Sequence, residues 1–280
     1  DHVQLKHEGE NPTGSFKDRG MTAGMSVARS LGMDRVAVAS TGNTSASLAA
    51  YASLAGMKPL VFIPDGKIAL GKLGQTLAYG AQTIQIRGDF DDAMRLVEAL
   101  CLEESIYLLN SINPFRIEGQ KAIVVALLQD LDWQVPDWIV LPGGNLGNNT
   151  ALTKGLRELH ALGIIQRMPR VAVIQAVGAN PLYTAWTTGA AMTPVRANTL
   201  ATAIQIGNPV SFTKSIRGIR ALDGIVEQVN DLEILEAKAI VDGAGIGAEP
   251  ASCATVAGMK KLVAAGVIKA GDHVCGILTG

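Results

Sequence analysis

The sequence has few aromatic residues and few cysteines. Phe, Trp and Tyr make up 4% of its 280 residues, whereas 48% are hydrophobic, so a core has to be built from Ala, Val, Ile and Leu. The three cysteines, Cys101, Cys253 and Cys275, are odd in number and far apart, with neither disulfide nor metal-binding spacing. We therefore expect small core residues in a reducing, cytoplasmic environment.

The sequence also lacks a strong charge of either sign and any long apolar run. The net charge is −1, and no basic cluster is dense enough to follow a phosphate backbone, so nucleic acid is not an expected partner. No apolar run approaches the ~18 residues of a membrane span, and no secretory signal is present. The histidines have no metal-ligand spacing, so no metal site is expected.

Strand-like and helix-like segments alternate along the chain. Apolar runs such as "RVAVAS", "KPLVFIP" and "DWIVLPGGN" each precede a segment with helical periodicity. One long helix is predicted for "EGQKAIVVALLQDL" (118–131), Asp89 is the expected N-cap of another, and the last third is expected to be mostly helical. Residues 190–228 lack periodicity and are interpreted as a long loop over a site. The alternation predicts an α/β protein with parallel sheets covered by helices on both faces.

A glycine-rich segment, "PGGNLGNN" (142–149), lies between a predicted strand and a predicted helix. Gly143, Gly144 and Gly147 allow several backbone N–H groups to converge, and a helix start adds further donors, which suits a phosphate. The segment has neither a Walker ending nor a convincing dinucleotide fingerprint, so a monophosphate fits better. An ordinary strand-to-helix turn remains the alternative.

Two other strand ends carry polar groups. "STGNTSAS" (40–47) suits a smaller anion such as a carboxylate, with Asn43 able to donate and accept; a well-capped helix start is the alternative. "NSINPFR" (110–116) contributes Asn110, Ser111 and Arg116, and an Arg fork matches phosphate oxygens. Taken alone, Arg116 would be read as a solvated surface residue.

Lys17 in "NPTGSFKDRG" completes the set. A phosphate-bearing cofactor and a lysine able to form a Schiff base indicate pyridoxal 5′-phosphate (PLP) chemistry. The neighbouring Asp18 and Arg19 are expected to pair or cap around the lysine helix. Glu249 is interpreted either as lining the cofactor pocket or as an acid at a helix start.

Five motifs in order, "ENPTGSFKDRGM", "STGNTSAS", "NSINPFR", "PGGNLGN" and "ATAIQIGNP", closely resemble those of the threonine synthases, which are fold type II (tryptophan-synthase-β-like) PLP enzymes. The resemblance covers nearly the whole chain. It implies a two-lobed α/β enzyme of mainly parallel open sheets with helices on both faces. The small, substrate-side lobe would span 33–114, and 1–32 with 115–280 would form the large PLP-binding lobe. A homodimer is also implied.

The resemblance further implies roles for single residues. Lys17 would form the Schiff base and move protons, Asn43 would bind the phenolic oxygen of PLP, and Thr279 would give its hydroxyl to the pyridine nitrogen. Such a hydroxyl partner would leave that nitrogen largely unprotonated. The 5′-phosphate would be wrapped by the glycine-rich segment, namely Gly143, Gly144, Asn145, Leu146, Gly147 and Asn148.

The implied reaction is a carbon–oxygen lyase reaction, a β,γ-replacement that converts O-phospho-L-homoserine and water into L-threonine and phosphate. The substrate carboxylate would lie on Ser40, Thr41, Gly42, Asn43 and Thr44. Its phosphate would lie near Thr44, Asn110, Ser111 and Arg116. The chain begins just before the lysine motif and ends one residue past Thr279, so we expect a fragment of a longer protein. The alternatives are a threonine or serine dehydratase-type lyase, a cysteine synthase, or an inactive PLP-binding fragment.

Overall fold

The computed structural model describes residues 2–65, 70–88 and 90–280. The strands are β1 (His2–His7), β2 (Arg35–Ala39), β3 (Lys58–Pro64), β4 (Gln82–Ile86), β5 (Tyr107–Leu108), β6 (Trp138–Pro142), β7 (Arg170–Ala176), β8 (Ile225–Val229) and β9 (His273–Leu278). The helices are α1 (Lys17–Ser30), α2 (Asn43–Leu54), α3 (Leu70–Ala78), α4 (Phe90–Glu103), α5 (Pro114–Gln120), α6 (Ala122–Asp130), α7 (Gly147–Ala161), α8 (Pro181–Thr188), α9 (Phe212–Ala221), α10 (Asp231–Gly243) and α11 (Pro250–Ala264).

The chain forms two compact units. The small unit is Asn11–Gln120, and the large unit consists of the chain up to Glu10 together with Lys121–Gly280. These limits differ from those expected for the lobes because α1 packs against α2 and α5 packs against α1. The assignment of 33–114 as the substrate-side lobe stays a prediction.

The sheet of the small unit has the order β4-β3-β2-β5, and all its strands are parallel. Val36 and Val38 of β2 pack with Leu48 of α2 and the methionines of α1, whereas Ala37 packs toward Val97 of α4. Successive side chains of a strand point to opposite faces, so this alternation requires a helical layer on each face. The predicted parallel α/β class is confirmed for this unit.

Helices α1 and α5 approach each other closely because glycines face the contact. A Cβ atom on Gly119 would lie 2.2 Å from the carbonyl oxygen of Arg19, and one on Gly20 would lie 2.8 Å from the carbonyl oxygen of Arg116. Neither space admits a methyl group without movement of the helices. The glycines therefore set the position of α5, which carries Arg116.

The large unit contains a parallel sheet of order β1-β9-β6-β7-β8. All five residues of β6 are buried, as is typical of a parallel strand covered on both faces. Val140 and Ile174 pack with α10 and α11 on one face. The alternate residues Ile139 and Val173 are also fully buried.

The structure differs from the sequence predictions at four places. Strands β1 and β8 were not expected, and both are edge strands in which polar residues interrupt the apolar pattern. The predicted single helix over 118–131 is wrong, because α5 and α6 are separate helices that are divided at Lys121, where the chain passes from the small unit to the large unit. The stretch 190–228 also contains α9 and most of β8, although 190–201 has no regular structure. Asp89 lies outside the described residues.

Within the part of the chain that the structure describes, no helix has the length and apolar character needed to cross a bilayer. The same residues contain no cluster of His, Cys, Asp or Glu suited to a metal ion.

Candidate active site

The glycine loop of the large unit, Gly143–Gly147, follows β6 and leads directly into α7. Its backbone is tightly enclosed: a Cβ atom on Gly143 would lie 2.6 Å from Val173 Cγ1, and one on Gly144 would lie 3.0 Å from Ile204 Cα. Leu146 adopts the left-handed conformation, with φ 64°, immediately before the helix. This conformation is costly for a residue with a branched side chain and is maintained by the burial of Leu146.

Two amide side chains fix the glycine loop. Gln175 is fully buried on β7; it donates to the Gly143 carbonyl at 3.2 Å and accepts from the Tyr183 N–H at 3.0 Å. Asn145 accepts from the Val210 N–H through Oδ1 at 3.1 Å, and its backbone carbonyl accepts from Ser211. The segment before α9 is thereby attached to the loop. Sequence reasoning missed Gln175, for which the only signal is a polar residue inside the apolar run "RVAVIQA".

The start of α7 presents hydrogen-bonding groups without protein partners. Both Nδ2 and Oδ1 of Asn148 are buried and, among the described residues, have no hydrogen-bond partner. The next residue, Asn149, donates to Ser215 Oγ at 2.7 Å. An unpaired buried polar group costs about 1–3 kcal/mol, and the first N–H groups of a helix have no intrahelical acceptor. Asn148 and this helix start therefore fit an anionic ligand.

Thr279 follows β9, which pairs with β6 in parallel register (Val140↔Gly276). The ends of these neighbouring strands lie at the same edge of the sheet, so Thr279 and the glycine loop share that edge. Thr279 is buried, its hydroxyl lies 3.0 Å from Ser252 Oγ, and it donates to Glu249 Oε1 at 3.3 Å. Glu249 is thus both the N-cap of α11 and a partner of Thr279. Sequence reasoning did not identify Ser252.

Lys17 is the first residue of α1 in the small unit. Its Nζ lies 4.4 Å from the ring centroid of Phe16. The next residue, Asp18, is buried and accepts hydrogen bonds from the Thr13 N–H (2.8 Å), Thr13 Oγ1 (2.6 Å) and Ser47 Oγ (2.6 Å). These bonds attach the start of α1 to α2.

The segment Ser40–Thr44 connects β2 to the first turn of α2. Ser40 donates its N–H to Phe62, its hydroxyl accepts from Gly42, and Asn43 begins the helix in a nearly buried position. Gly42 is the N-cap residue and has no side chain with which to cap the helix. No N-cap side chain therefore uses the first N–H groups of α2, and a helix start of this kind suits a small anion.

Asn110 lies beside this segment, because β5 pairs with β2. Its side-chain amide accepts from the Ala39 N–H at 2.9 Å and donates to the Ala39 carbonyl at 3.0 Å. It thus extends the sheet by one pair of hydrogen bonds and fixes the position at which Ser40 begins. Ser111 follows and is half-buried.

Arg116 on α5 is buried, with 1% of its surface exposed, so the surface interpretation is wrong. Nη1 donates to the Leu109 carbonyl at 3.0 Å, whereas Nε and Nη2 are buried and have no partner among the described residues. Burial lowers the pKa of Arg116 to about 10, so the guanidinium remains charged at neutral pH. A buried cation with unpaired donors is costly unless an anion binds it.

Comparison with known proteins gives a consistent assignment. The family described as "Pyridoxal-phosphate dependent enzyme" matches residues 1–280. The threonine synthase of Methanosarcina acetivorans is 55% identical over 99% of this chain and 69% of its own length. The threonine synthase of Methanocaldococcus jannaschii is 50% identical over 99% of this chain and 69% of its own length. The threonine synthase of Halalkalibacterium halodurans is 43% identical over 99% of this chain and 76% of its own length.

Solved structures share the fold at low sequence identity. A fungal L-serine ammonia-lyase from Rhizomucor miehei superposes with a TM-score of 0.86 at 21% identity, over 99% of this chain and 88% of that one. The processed form of threonine deaminase isoform 2 from Solanum lycopersicum superposes with a TM-score of 0.83 at 18% identity, over 99% of this chain and 78% of that one. At these identities the likeness concerns the fold alone, which confirms the predicted fold type II architecture. The chain belongs to the pyridoxal-phosphate dependent enzymes and, within that family, to the group of sequences that contains the threonine synthases.

Proposed function

We propose that this chain is a threonine synthase that converts O-phospho-L-homoserine and water into L-threonine and phosphate. The observation that carries the proposal is Arg116, which lies in the same unit as Lys17. Its guanidinium is buried, and two of its nitrogens have no hydrogen-bond partner among the described residues. Serine and threonine, the substrates of a dehydratase, carry only a carboxylate, whereas O-phosphohomoserine carries a carboxylate and a phosphate. Only O-phosphohomoserine therefore needs a second anion site.

The residues of the large unit fit the phosphate of PLP. Gly143 and Gly144 leave no room for side chains, α7 begins directly behind the loop, and the Asn148 amide has no hydrogen-bond partner among the described residues. We assign binding of the 5′-phosphate to this set: Gly143, Gly144, Asn145, Leu146, Gly147 and Asn148. Thr279 would bind the ring nitrogen. When bound, PLP supplies an aldehyde that condenses with amines and a ring that withdraws electrons from the α carbon of an amino acid.

The small unit would supply the lysine and the substrate contacts. Lys17 would hold the cofactor through its amine, and once released it would remove and return protons at the substrate carbons. Asp18 would keep Lys17 in place, because it attaches the first turn of α1 to α2. Asn43 would donate to the phenolic oxygen of the cofactor.

The two substrate anions would bind at different strand ends of the small unit. The segment Ser40–Thr44 and the first turn of α2 would take the carboxylate. Thr44, Asn110, Ser111 and Arg116 would take the phosphate, with the Arg116 charge stabilising it as it leaves. Since the Asn110 amide is already bonded to Ala39, its contribution would come mainly from its remaining amide hydrogen and from holding the segment in position.

The proposal is tested by supplying the purified protein with PLP and O-phospho-L-homoserine and measuring threonine, phosphate and 2-oxobutyrate. We expect equal amounts of threonine and phosphate, and neither from Lys17→Ala. Phosphate with 2-oxobutyrate in place of threonine would support the dehydratase alternative. Substrate-independent PLP binding with no product would support the inactive-fragment alternative.

We also propose a homodimer in the cytoplasm, in line with the sequence expectation. Light scattering of the PLP-bound protein gives the mass directly, and a mass of one chain would contradict the dimer.

A further inference from the structure

We infer that Lys72 of α3 is a further substrate-binding residue, whose ammonium group binds the carboxylate of the amino acid together with the first turn of α2. The inference rests on the proposed function, in which the segment Ser40–Thr44 and that turn hold the carboxylate. All five residues of this segment are neutral, so Lys72 adds the cation that the subsite lacks.

Lys72 bonds only to neutral groups within the part of the chain that the structure describes. Its Nζ donates to the Thr13 carbonyl at 3.1 Å and to Gln75 Oε1 at 3.4 Å. An ammonium group has three N–H donors, so these bonds use two and leave one for a ligand. The Lys72 side chain is half-buried, and a bound anion is screened less there than on the open surface.

The position of Lys72 on its helix gives it no stabilising role there. Lys72 is the third residue of α3, which runs from Leu70 to Ala78. The first turn of a helix carries partial positive charge, which disfavours a cation and favours an anion. An anion bound by Lys72 would offset this repulsion.

Lys72 lies against the loop that leads to Lys17. Its Nζ is 3.6 Å from the position of a Cβ atom on Gly14, and the Thr13 carbonyl belongs to the same loop. The N–H and the hydroxyl of Thr13 are bound by Asp18. The ammonium group therefore lies beside the residues that fix the beginning of α1, where Lys17 is the first residue.

The same face of α3 also borders the first turn of α2. Thr76 is buried, and its hydroxyl lies 3.4 Å from Ser45 Oγ, which donates to the Gly42 carbonyl at 2.8 Å. Residues four apart on a helix share one face, so Lys72 and Thr76 are neighbours on α3. Lys72 is thus placed where the Lys17 loop and the start of α2 are both close.

The chemistry of an amino acid brings its carboxylate to this position. The amine and the carboxylate are attached to the same carbon, and in the proposed function the amine takes the place of the Lys17 amine on the cofactor. The carboxylate must then lie near the start of α1 as well as at the first turn of α2. A charge-assisted hydrogen bond from Lys72 meets it there.

The test is isothermal titration calorimetry of the PLP-loaded protein with L-threonine and with L-threonine amide, in which a neutral carboxamide replaces the carboxylate. Lys72→Met removes the charge and keeps the length of the side chain. We expect this variant to raise the Kd of L-threonine about 10-fold, because a charged hydrogen bond in a partly exposed position is lost. The Kd of the amide should not change. Lys72→Arg keeps the charge and should retain most of the affinity for L-threonine.

Gln75→Leu is the matched control for a purely structural role. Gln75 donates to the same Thr13 carbonyl at 3.3 Å but is neutral, so its replacement should leave the Kd of L-threonine nearly unchanged. If Lys72→Met fails to fold, Lys72→Gln, which is also neutral, takes its place with the same expected result.

Four results would overturn the inference. They are an unchanged Kd of L-threonine in the neutral Lys72 variants, equal losses for L-threonine and its amide, equal losses in the Lys72 and Gln75 variants, and no binding of L-threonine by the unmodified protein. Failure of the proposed function shows differently, because L-threonine would then bind in a way that depends on Lys72 while O-phospho-L-homoserine gives no threonine.

Discussion

Replacing Asp18 should destabilise the small unit strongly, because its carboxylate is buried and accepts three hydrogen bonds. In Asp18→Ala, the hydroxyls of Thr13 and Ser47 can turn toward other acceptors, but the Thr13 N–H cannot. Bonds to a charged group contribute about 1.5–3 kcal/mol each, and an unpaired buried donor costs about 1–3 kcal/mol. Since these terms are not additive, we expect a loss of about 3–5 kcal/mol for the alanine variant.

Asp18→Asn removes the negative charge of the side chain and keeps its shape, so it measures the contribution of the charge alone. The amide oxygen can still accept from the Thr13 N–H, and the two hydroxyls can rotate to accept from the amide nitrogen. The loss should therefore fall to about 1–2 kcal/mol, the difference between charged and neutral hydrogen bonds. Asp34→Asn is the matched control, because the Asp34 side chain is 77% exposed and its contact with Arg35 is 3.8 Å long. Exposed pairs of this kind contribute about 0–1 kcal/mol.

The assay is urea unfolding followed by far-ultraviolet circular dichroism. Tryptophan fluorescence would report on the wrong unit, since all three tryptophans, Trp133, Trp138 and Trp186, belong to the large unit. A chain of two units can unfold in more than one step, so the transition of the small unit should be analysed separately. A loss below about 1 kcal/mol for Asp18→Ala, or equal losses for Asp18→Ala and Asp34→Asn, would refute the reasoning.

Three further predictions concern packing, reactivity and substrate binding. Gly119→Ala should lower the free energy of unfolding in urea by about 1–3 kcal/mol, because its Cβ would lie 2.2 Å from the Arg19 carbonyl oxygen. Gly71→Ala, in open space on α3, should instead raise the free energy of unfolding by up to about 1 kcal/mol. Burial raises the pKa of all three cysteine thiols to about 11. Labelling of the folded protein by iodoacetamide, followed by mass spectrometry, should therefore be slow at pH 7 and should accelerate as the pH rises. Rapid labelling at pH 7 would contradict these pKa values. Arg116→Leu should lower kcat/KM for O-phosphohomoserine about 10–100-fold in a phosphate-release assay, because a charged hydrogen bond to the substrate is lost. The urea midpoint of the substrate-free protein should not fall, because the variant also removes a buried charge whose Nε and Nη2 have no partner among the described residues. An unchanged kcat/KM would contradict the assignment of Arg116 to the phosphate.

The parallel α/β class was predictable because buried strands of such sheets are continuous apolar runs. Strand β6, "WIVLP", is the clearest example, since every residue in it is buried. Strand β8, "IVEQV", lies at the edge of its sheet, where Glu227 and Gln228 are only partly buried. Its pattern therefore resembles that of a surface segment, and periodicity alone could not identify it.

Among the candidate site residues, those on strand-to-helix turns could be predicted and their supporting residues could not. The glycines of 143–147 indicate close packing of the backbone, because glycine has no side chain. Gln175 and Ser252 act through distant backbone groups, Gly143 and Gly280, that only the folded sheet brings near. Arg116 was predicted as a substrate contact, but its burial could not be predicted, because it depends on glycines of α1 that lie about a hundred residues earlier.

The most direct test of the proposed reaction follows the oxygen of water. If the chain catalyses a β,γ-replacement, conversion of O-phospho-L-homoserine in H₂¹⁸O will place one ¹⁸O atom in the threonine hydroxyl and none in the released phosphate, because the C–O bond breaks and water adds to the β carbon. Mass spectrometry of both products measures this. Labelled phosphate with homoserine would show simple phosphoester hydrolysis and would contradict the account, as would phosphate accompanied by 2-oxobutyrate without threonine.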